Sequence, residues 1–231
     1  MKYRHLFFDL DHTLWDFNEN ARLTLSELYD ELELQKAGVP NFENFLKVYL
    51  GHNEQLWERY RNGMLKAEEL RWKRMWNTLA DFGIFNEELA RRLGHRFLEL
   101  LPTRKILFAD AVETLQYLKD KGYQLHLITN GFEETQHSKL RTCGISDFFV
   151  EVITSEGSNS MKPKKEIFDY ALSKAKALQH QSIMIGDSIE VDIKGAINAG
   201  IDQVYVNHLG EICTIKPTYM VHSLKELQRI F

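Results

Sequence analysis

From residue 103 to the C-terminus, short apolar runs alternate with segments of helical periodicity, and this alternation constrains the fold more than any other feature. The spacing predicts helices over 112–121, 133–143, 165–177 and 191–199; Gly122, Gly144 and Gly200 close the first, second and fourth. Strands are predicted over 123–128, 150–154, 182–185 and 203–206, with a further one near the N-terminus over 4–8. Strands separated by helices need crossover connections, which are right-handed and leave the strands parallel with helices on both faces. The expected fold class is α/β, with a mostly parallel sheet.

Between the first strand and residue 103 the period changes. Leu23, Leu25, Leu28 and Leu32 space as one face of a helix, as do Phe45, Val48, Tyr49, Leu56 and Tyr60. Segments 71–79 and 87–100 continue the pattern, while Gly38-Val39-Pro40-Asn41, Arg61-Asn62-Gly63-Met64 and Phe82-Gly83 punctuate it. The expected organisation is a core built from 1–15 and 103–231, interrupted by a helical insertion over 16–102.

Composition removes several functions. The net charge is −4, from 29 basic and 33 acidic residues without a basic run, which argues against a nucleic-acid partner held through phosphates. A small anionic substrate stays open, because one bound cation can dominate a site. Cys143 and Cys213 have no C-x-x-C spacing, so neither a disulfide framework nor a zinc–thiolate site is expected. No run reaches the ~20 apolar residues of a membrane span, and Asp9 interrupts the N-terminal apolar run well before signal-peptide length. The expectation is a soluble cytoplasmic protein with no membrane partner.

The chemistry gathers where the strands end. The first strand runs into Asp9 and Asp11, the second into Thr129-Asn130-Gly131, the third into Ser155-Glu156 and then Lys162, and the fourth into Gly186-Asp187. Ligands of open parallel sheets bind outside the carboxyl ends of the strands, so four strands deliver these groups to one rim. Acids at i and i+2 of an extended chain point to one side, so Asp9 and Asp11 can address one phosphorus: one attacks, the other exchanges a proton. A hard divalent cation such as magnesium suits two such carboxylates beside a phosphate, with Asp187 as a further ligand. Lys162, Thr129 and Asn130 can stabilise the charge on the transferring oxygens. Singly, each motif has an ordinary explanation: a strand-ending turn for Thr129-Asn130-Gly131, a solvated helix start for Lys162-Pro163, an N-cap for Asp187. Their ordered combination at successive strand ends carries the reading.

That combination resembles the haloacid dehalogenase-like hydrolases over nearly the whole chain. The matching motifs are Asp9-Leu10-Asp11-His12-Thr13, Ile128-Thr129-Asn130-Gly131, Lys162-Pro163 and Gly186-Asp187-Ser188-Ile189-Glu190-Val191-Asp192. The resemblance implies a Rossmann-like core with a helical cap inserted after the first motif. It implies Asp9 as nucleophile, forming an aspartyl phosphate, Asp11 as general acid/base, and Lys162 as a catalytic and substrate-binding cation. Thr129, Asn130 and Gly131 would bind the substrate phosphate. Mg2+ would be held by the Asp9 carboxylate, the Asp11 main-chain carbonyl and Asp187. Thr13 and Asp192 would support the site, Asp192 by backing the metal or orienting Lys162. Relatives often have Gly in the loop before the motif lysine, whereas this chain has Ser155-Glu156-Gly157-Ser158-Asn159-Ser160-Met161.

Within that superfamily the likeness is to the small pyrimidine 5′-nucleotidases, through Trp57-Glu58-Arg59-Tyr60-Arg61-Asn62-Gly63 and Asn130-Gly131-Phe132. A nucleoside monophosphate is thus the implied partner, bound by a monomer or homodimer. Trp57, Tyr60, Trp72, Trp76 and Phe132 are candidates to stack on a base, although aromatics at helical spacing more often form core. Rival readings are a sugar-phosphate or phosphoglycolate phosphatase, a phosphomutase, a dehalogenase, and a catalytically silent binding protein on the same fold. Asp11 disfavours the dehalogenase, since carbon–halogen displacement needs no acid.

Overall fold

The computed structural model describes residues 2–231. The chain divides into two compact units: the residues up to Phe17 with Lys105–Phe231, and Asn18–Arg104.

Strand β1 (His5–Phe8) opens the first unit and is buried throughout. The chain then enters the helical unit, with α1 (Phe17–Glu31), the short α2 (Leu34–Ala37), α3 (Phe42–Arg61), α4 (Ala67–Asp81) and α5 (Glu87–Leu100). Asn41 and Asn86 start α3 and α5 by accepting the backbone N–H of Asn44 (2.9 Å) and Leu89 (3.0 Å), the usual use of asparagine at an N-cap. Phe45, Tyr49, Leu70, Met75, Leu79, Leu93 and Phe97 are buried, each worth roughly 1.5–3 kcal/mol on area. α4 and α5 cross closely at Gly94, where a Cβ would stand 2.8 Å from the Arg71 carbonyl oxygen.

Returning to the first unit, the chain forms α6 (Ala111–Asp120), β2 (Gln124–Thr129), α7 (Glu133–Thr142), β3 (Phe149–Thr154), a one-turn α8 (Ser155–Ser158), α9 (Lys165–Ala175), β4 (Ser182–Gly186), α10 (Lys194–Asn198), β5 (Asp202–Val206) and β6 (Tyr219–Val221). All six strands are parallel, in the order β3-β2-β1-β4-β5-β6. The alternation from residue 103 onward thus gives the α/β sheet it predicts. Two details differ from the sequence reading. The expected helix over 191–199 is a wider π-type turn at Ile189–Ile193 running into α10. β6, only three residues long, carries too short an apolar run to be seen by periodicity.

Register positions the rim. Phe8 pairs with Leu127 on one side and Ile185 on the other, so Asp9 leaves the centre of the sheet between the ends of β2 and β4. Succession runs outward through β2 on one side and through β4 on the other, so the topological switch point lies beside β1, the usual place for a ligand. One face of the sheet is covered through Phe7, Ile128, Ile153, Phe168, Met184 and Ala196. Gly195 permits this packing, since a Cβ there would lie 2.7 Å from the Phe168 ring. Among the described residues no helix is long and apolar enough to cross a membrane.

Candidate active site

Lys162 is the hub of the rim. It is 1% exposed, and its ammonium donates to Asp9 Oδ1 (2.6 Å), Asp192 Oδ1 (2.7 Å) and the Ile128 carbonyl (2.7 Å). Three acceptors satisfy the three N–H bonds of an ammonium. Burial alone would lower its pKa, but Asp192 and Asp9 outweigh that and raise it, so Lys162 keeps its proton. The lysine is delivered from far along the chain and fixed by its own backbone: its N–H donates to Asn130 Oδ1 (2.8 Å) and its carbonyl accepts from Asn130 Nδ2 (2.9 Å).

The acids divide into those behind the site and those facing it. Asp192 has both oxygens engaged, one by Lys162 and the other by the Ser188 N–H (3.0 Å). It packs against Gly186, where a Cβ would fall 2.4 Å from its Cγ, so a glycine must end β4. Asp187 accepts from Thr13 Oγ1 (2.7 Å) through one oxygen only, as Asp9 accepts from Lys162. Carboxylate oxygens of Asp9, Asp187 and Asp192 lie within 4.8 Å of one another.

The Lys162 ammonium alone cannot balance the carboxylates of buried Asp9 and Asp192 and half-buried Asp187. Burial raises the Asp9 pKa to about 7, with Lys162 opposing the shift and Asp192 and Asp11 adding to it. Asp187 is raised well above the usual range by burial and by the charges of Asp192 and Asp9, against the Thr13 bond and Lys162. A surplus of buried negative charge, with an oxygen uncommitted on each of Asp9 and Asp187, fits a hard divalent cation.

Asp11 opens the loop that follows β1. β1 ends at Phe8, and the Leu10 carbonyl accepts the N–H groups of Leu14 and Trp15 (both 2.9 Å), folding the loop back on itself. His12 takes a left-handed backbone (φ 66°) inside this turn. The turn itself occupies residues 12–14, directly after Asp11. The Asp11 carboxylate meets α7: Oδ1 accepts from Lys139 Nζ (2.5 Å) and Oδ2 from Gln136 Nε2 (3.2 Å).

The remaining candidates have defined places. Thr129 Oγ1 accepts the Gly131 N–H (3.1 Å), Asn130 spends its amide on Lys162, and Gly131 leaves room for Gln136, whose amide nitrogen would lie 1.9 Å from a Cβ there. In the helical unit Trp57 stacks edge-on with Tyr60, Trp72 does so with Trp76, and Arg91 lies over Trp72 (4.0 Å); Phe132 is buried in the first unit. Lys139, Gln136 and His208 are absent from the motif reading. The first two had a signal: α7 places polar residues where an amphipathic helix would place core. His208, whose ring nitrogen lies 3.1 Å from the Thr13 carbonyl, had none.

A parallel α/β sheet with an acid cluster and a buried lysine at its switch point, interrupted after the first strand by a helical unit, defines a class of hydrolase. Residues 3–200 match the haloacid dehalogenase-like hydrolases, and the chain belongs to that family. It is similar to the pyrimidine 5′-nucleotidase YjjG of Escherichia coli, at 31% identity over 100% of this chain and 98% of the relative. It is also similar to the pyrimidine 5′-nucleotidase PynA of Streptococcus pneumoniae, at 30% identity over 98% of this chain and 94% of that one. Among solved structures, the magnesium-bound HAD-hydrolase YfnB of Bacillus subtilis superposes with a TM-score of 0.90 at 28% identity, covering 100% of this chain and 99% of that one.

Proposed function

We propose that the protein is a magnesium-dependent phosphomonoesterase that acts through a phosphoenzyme on Asp9, with pyrimidine nucleoside monophosphates as its substrate class. The observation that carries the reaction is the geometry of Asp9: a buried carboxylate with one oxygen held by Lys162 and the other uncommitted, beside Asp187. Asp9 attacks phosphorus, an Asp–O–P bond forms, and the ester P–O bond breaks as Asp11 gives its proton to the leaving oxygen. Water then attacks the acyl phosphate, its proton passes to the Asp11 carboxylate, and Asp9 is released with inorganic phosphate.

Lys162 fixes the attacking carboxylate and offsets the charge of the phosphoryl oxygens. Thr129 and the backbone of Asn130 and Gly131 line the phosphate side. Asp9, Asp187 and the Asp11 main-chain carbonyl would hold Mg2+, with Thr13 and Asp192 in support; when bound, the ion neutralises charge on the phosphoryl oxygens. The helical unit sets the substrate. Support for the nucleotide comes from the two nucleotidase relatives, each similar over nearly the full chain.

The test is phosphate release from UMP, AMP and sugar phosphates, with and without Mg2+, using Asp9→Asn as control. Fastest turnover on UMP, a metal requirement and loss of turnover in Asp9→Asn are expected. Near-wild-type rates in Asp9→Asn would remove the phosphoenzyme; equal rates on all esters would remove the pyrimidine preference alone.

A further inference from the structure

Asp11 is held by a second buried lysine. Lys139 is 2% exposed, its Nζ lies 2.5 Å from Asp11 Oδ1, and the same ammonium stands 4.0 Å above the Trp15 ring. A lysine this buried, on a ten-residue helix whose only buried apolar side chain is Leu140, is costly unless its partner needs it. Gln136, one helical turn earlier and also 2% exposed, donates to the other Asp11 oxygen (3.2 Å). Its place over Gly131 exists only because that residue lacks a Cβ. The second polar atom of this amide, Oε1, is buried without a partner. An orphaned acceptor beside an acid is expensive for stability alone.

We propose that Lys139 and Gln136 are positioning residues that fix the Asp11 carboxylate, and with it the delivery of its proton to the leaving oxygen. The two acids of the motif are thereby oriented independently, Asp9 by Lys162 and Asp11 by α7. The Trp15 ring beside the Lys139 ammonium adds a second attractive contact that holds the lysine in place. This inference rests on the reading of Asp11 as the acid.

The experiment compares an alkyl ester, UMP, with an aryl ester, p-nitrophenyl phosphate, in kcat/KM, which counts steps up to loss of the leaving group. An alkoxide needs a proton to leave and a nitrophenolate hardly does. Lys139→Met is expected to lower kcat/KM for UMP about 10–100-fold, the scale of misplaced acid catalysis, and for the aryl ester less than about threefold. KM should stay near wild type, and Lys139→Arg should restore most of the loss. Gln136→Met should show the same selectivity more weakly, and decides the matter if Lys139→Met does not fold. Equal losses on both esters in a folded variant would overturn the proposal. Asp11→Asn separates the two claims: without leaving-group selectivity there, the acid reading itself fails. Selectivity in Asp11→Asn but in neither α7 variant would refute the positioning role alone. Ribose 5-phosphate replaces UMP as the alkyl ester if UMP is not turned over.

Discussion

Replacing Lys162 by Met keeps most of the side-chain volume and removes the cation that bridges Asp9 and Asp192. The ammonium lost is buried with three acceptors. Deleting one partner of a buried ion pair typically costs ~3–5 kcal/mol, because the other charge stays buried and unpaired. That penalty holds only while the acids are ionised. An acid whose folded pKa is raised, as for Asp9 at about 7, binds more protons folded than unfolded, so its site loses stability as pH rises from about 4 towards 7. Removing Lys162 raises the acids further and steepens that loss. Well below about 7 Asp9 takes up its proton, and the remaining cost is nearer that of unmet hydrogen bonds, ~1–3 kcal/mol. At roughly 2–4 °C per kcal/mol for a chain of this size, the metal-free variant should melt ~6–20 °C below wild type at pH 8. The deficit should be smaller by about 4–8 °C at pH 5, from the ~2 kcal/mol between the two regimes. Thermal unfolding of both proteins in chelator at the two pH values reads this directly. A deficit equal at both would mean that Lys162 fills space rather than balancing charge, and the electrostatic account of the rim would be wrong.

Two further outcomes follow from the same charges. Because Asp9 and Asp187 are both raised by burial, Mg2+ should raise the Tm more at pH 8 than at pH 5, and Asp187→Asn should abolish the response; a shift of equal size in that variant would place the ion elsewhere. His126 is fully buried against Phe7 and His5, and burial lowers its pKa to about 4. A histidine kept neutral in the fold contributes fully above about 6.5, and that contribution is lost as pH falls towards 4, by up to ~3 kcal/mol. His126→Leu should therefore flatten the acid limb of the urea midpoint between pH 6.5 and 4, whereas an unchanged limb would show that other groups govern it.

How much of this was legible from residues alone differed by scale. Strand ends were readable because a parallel strand buried on both faces is an apolar run that must stop where a charged side chain begins, as at Phe8-Asp9 and Ile185-Gly186-Asp187. The π-type turn at Ile189–Ile193 was not, because it keeps helical composition while changing only the hydrogen-bonding step. The loop after Asp11 was not legible either: the Leu10 carbonyl accepts from Leu14 and Trp15, and His12 takes a left-handed backbone. Nothing in a five-residue motif records a left-handed histidine. Asn130 illustrates the other limit. Its amide is a natural phosphate donor by type, yet its two bonds go to the Lys162 backbone 32 residues away, a pairing set by tertiary structure.

These departures bear on how two like acids can be assigned unlike tasks. Two carboxylates one residue apart on an extended chain would feel nearly the same field, and neither would be marked as nucleophile or as acid. Their side-chain partners break that symmetry. Asp9 stays in the buried cluster with Asp187 and Asp192, anchored by a lysine that it shares with Asp192. Asp11 swings to α7, where Lys139 and Gln136 engage its two oxygens outside that cluster. The two acids are thereby held by different partners. That difference is built by two lysines on different segments of one unit. It therefore does not depend on the helical unit, whose aromatic pairs are free to differ with the substrate while the chemistry at the strand ends stays the same.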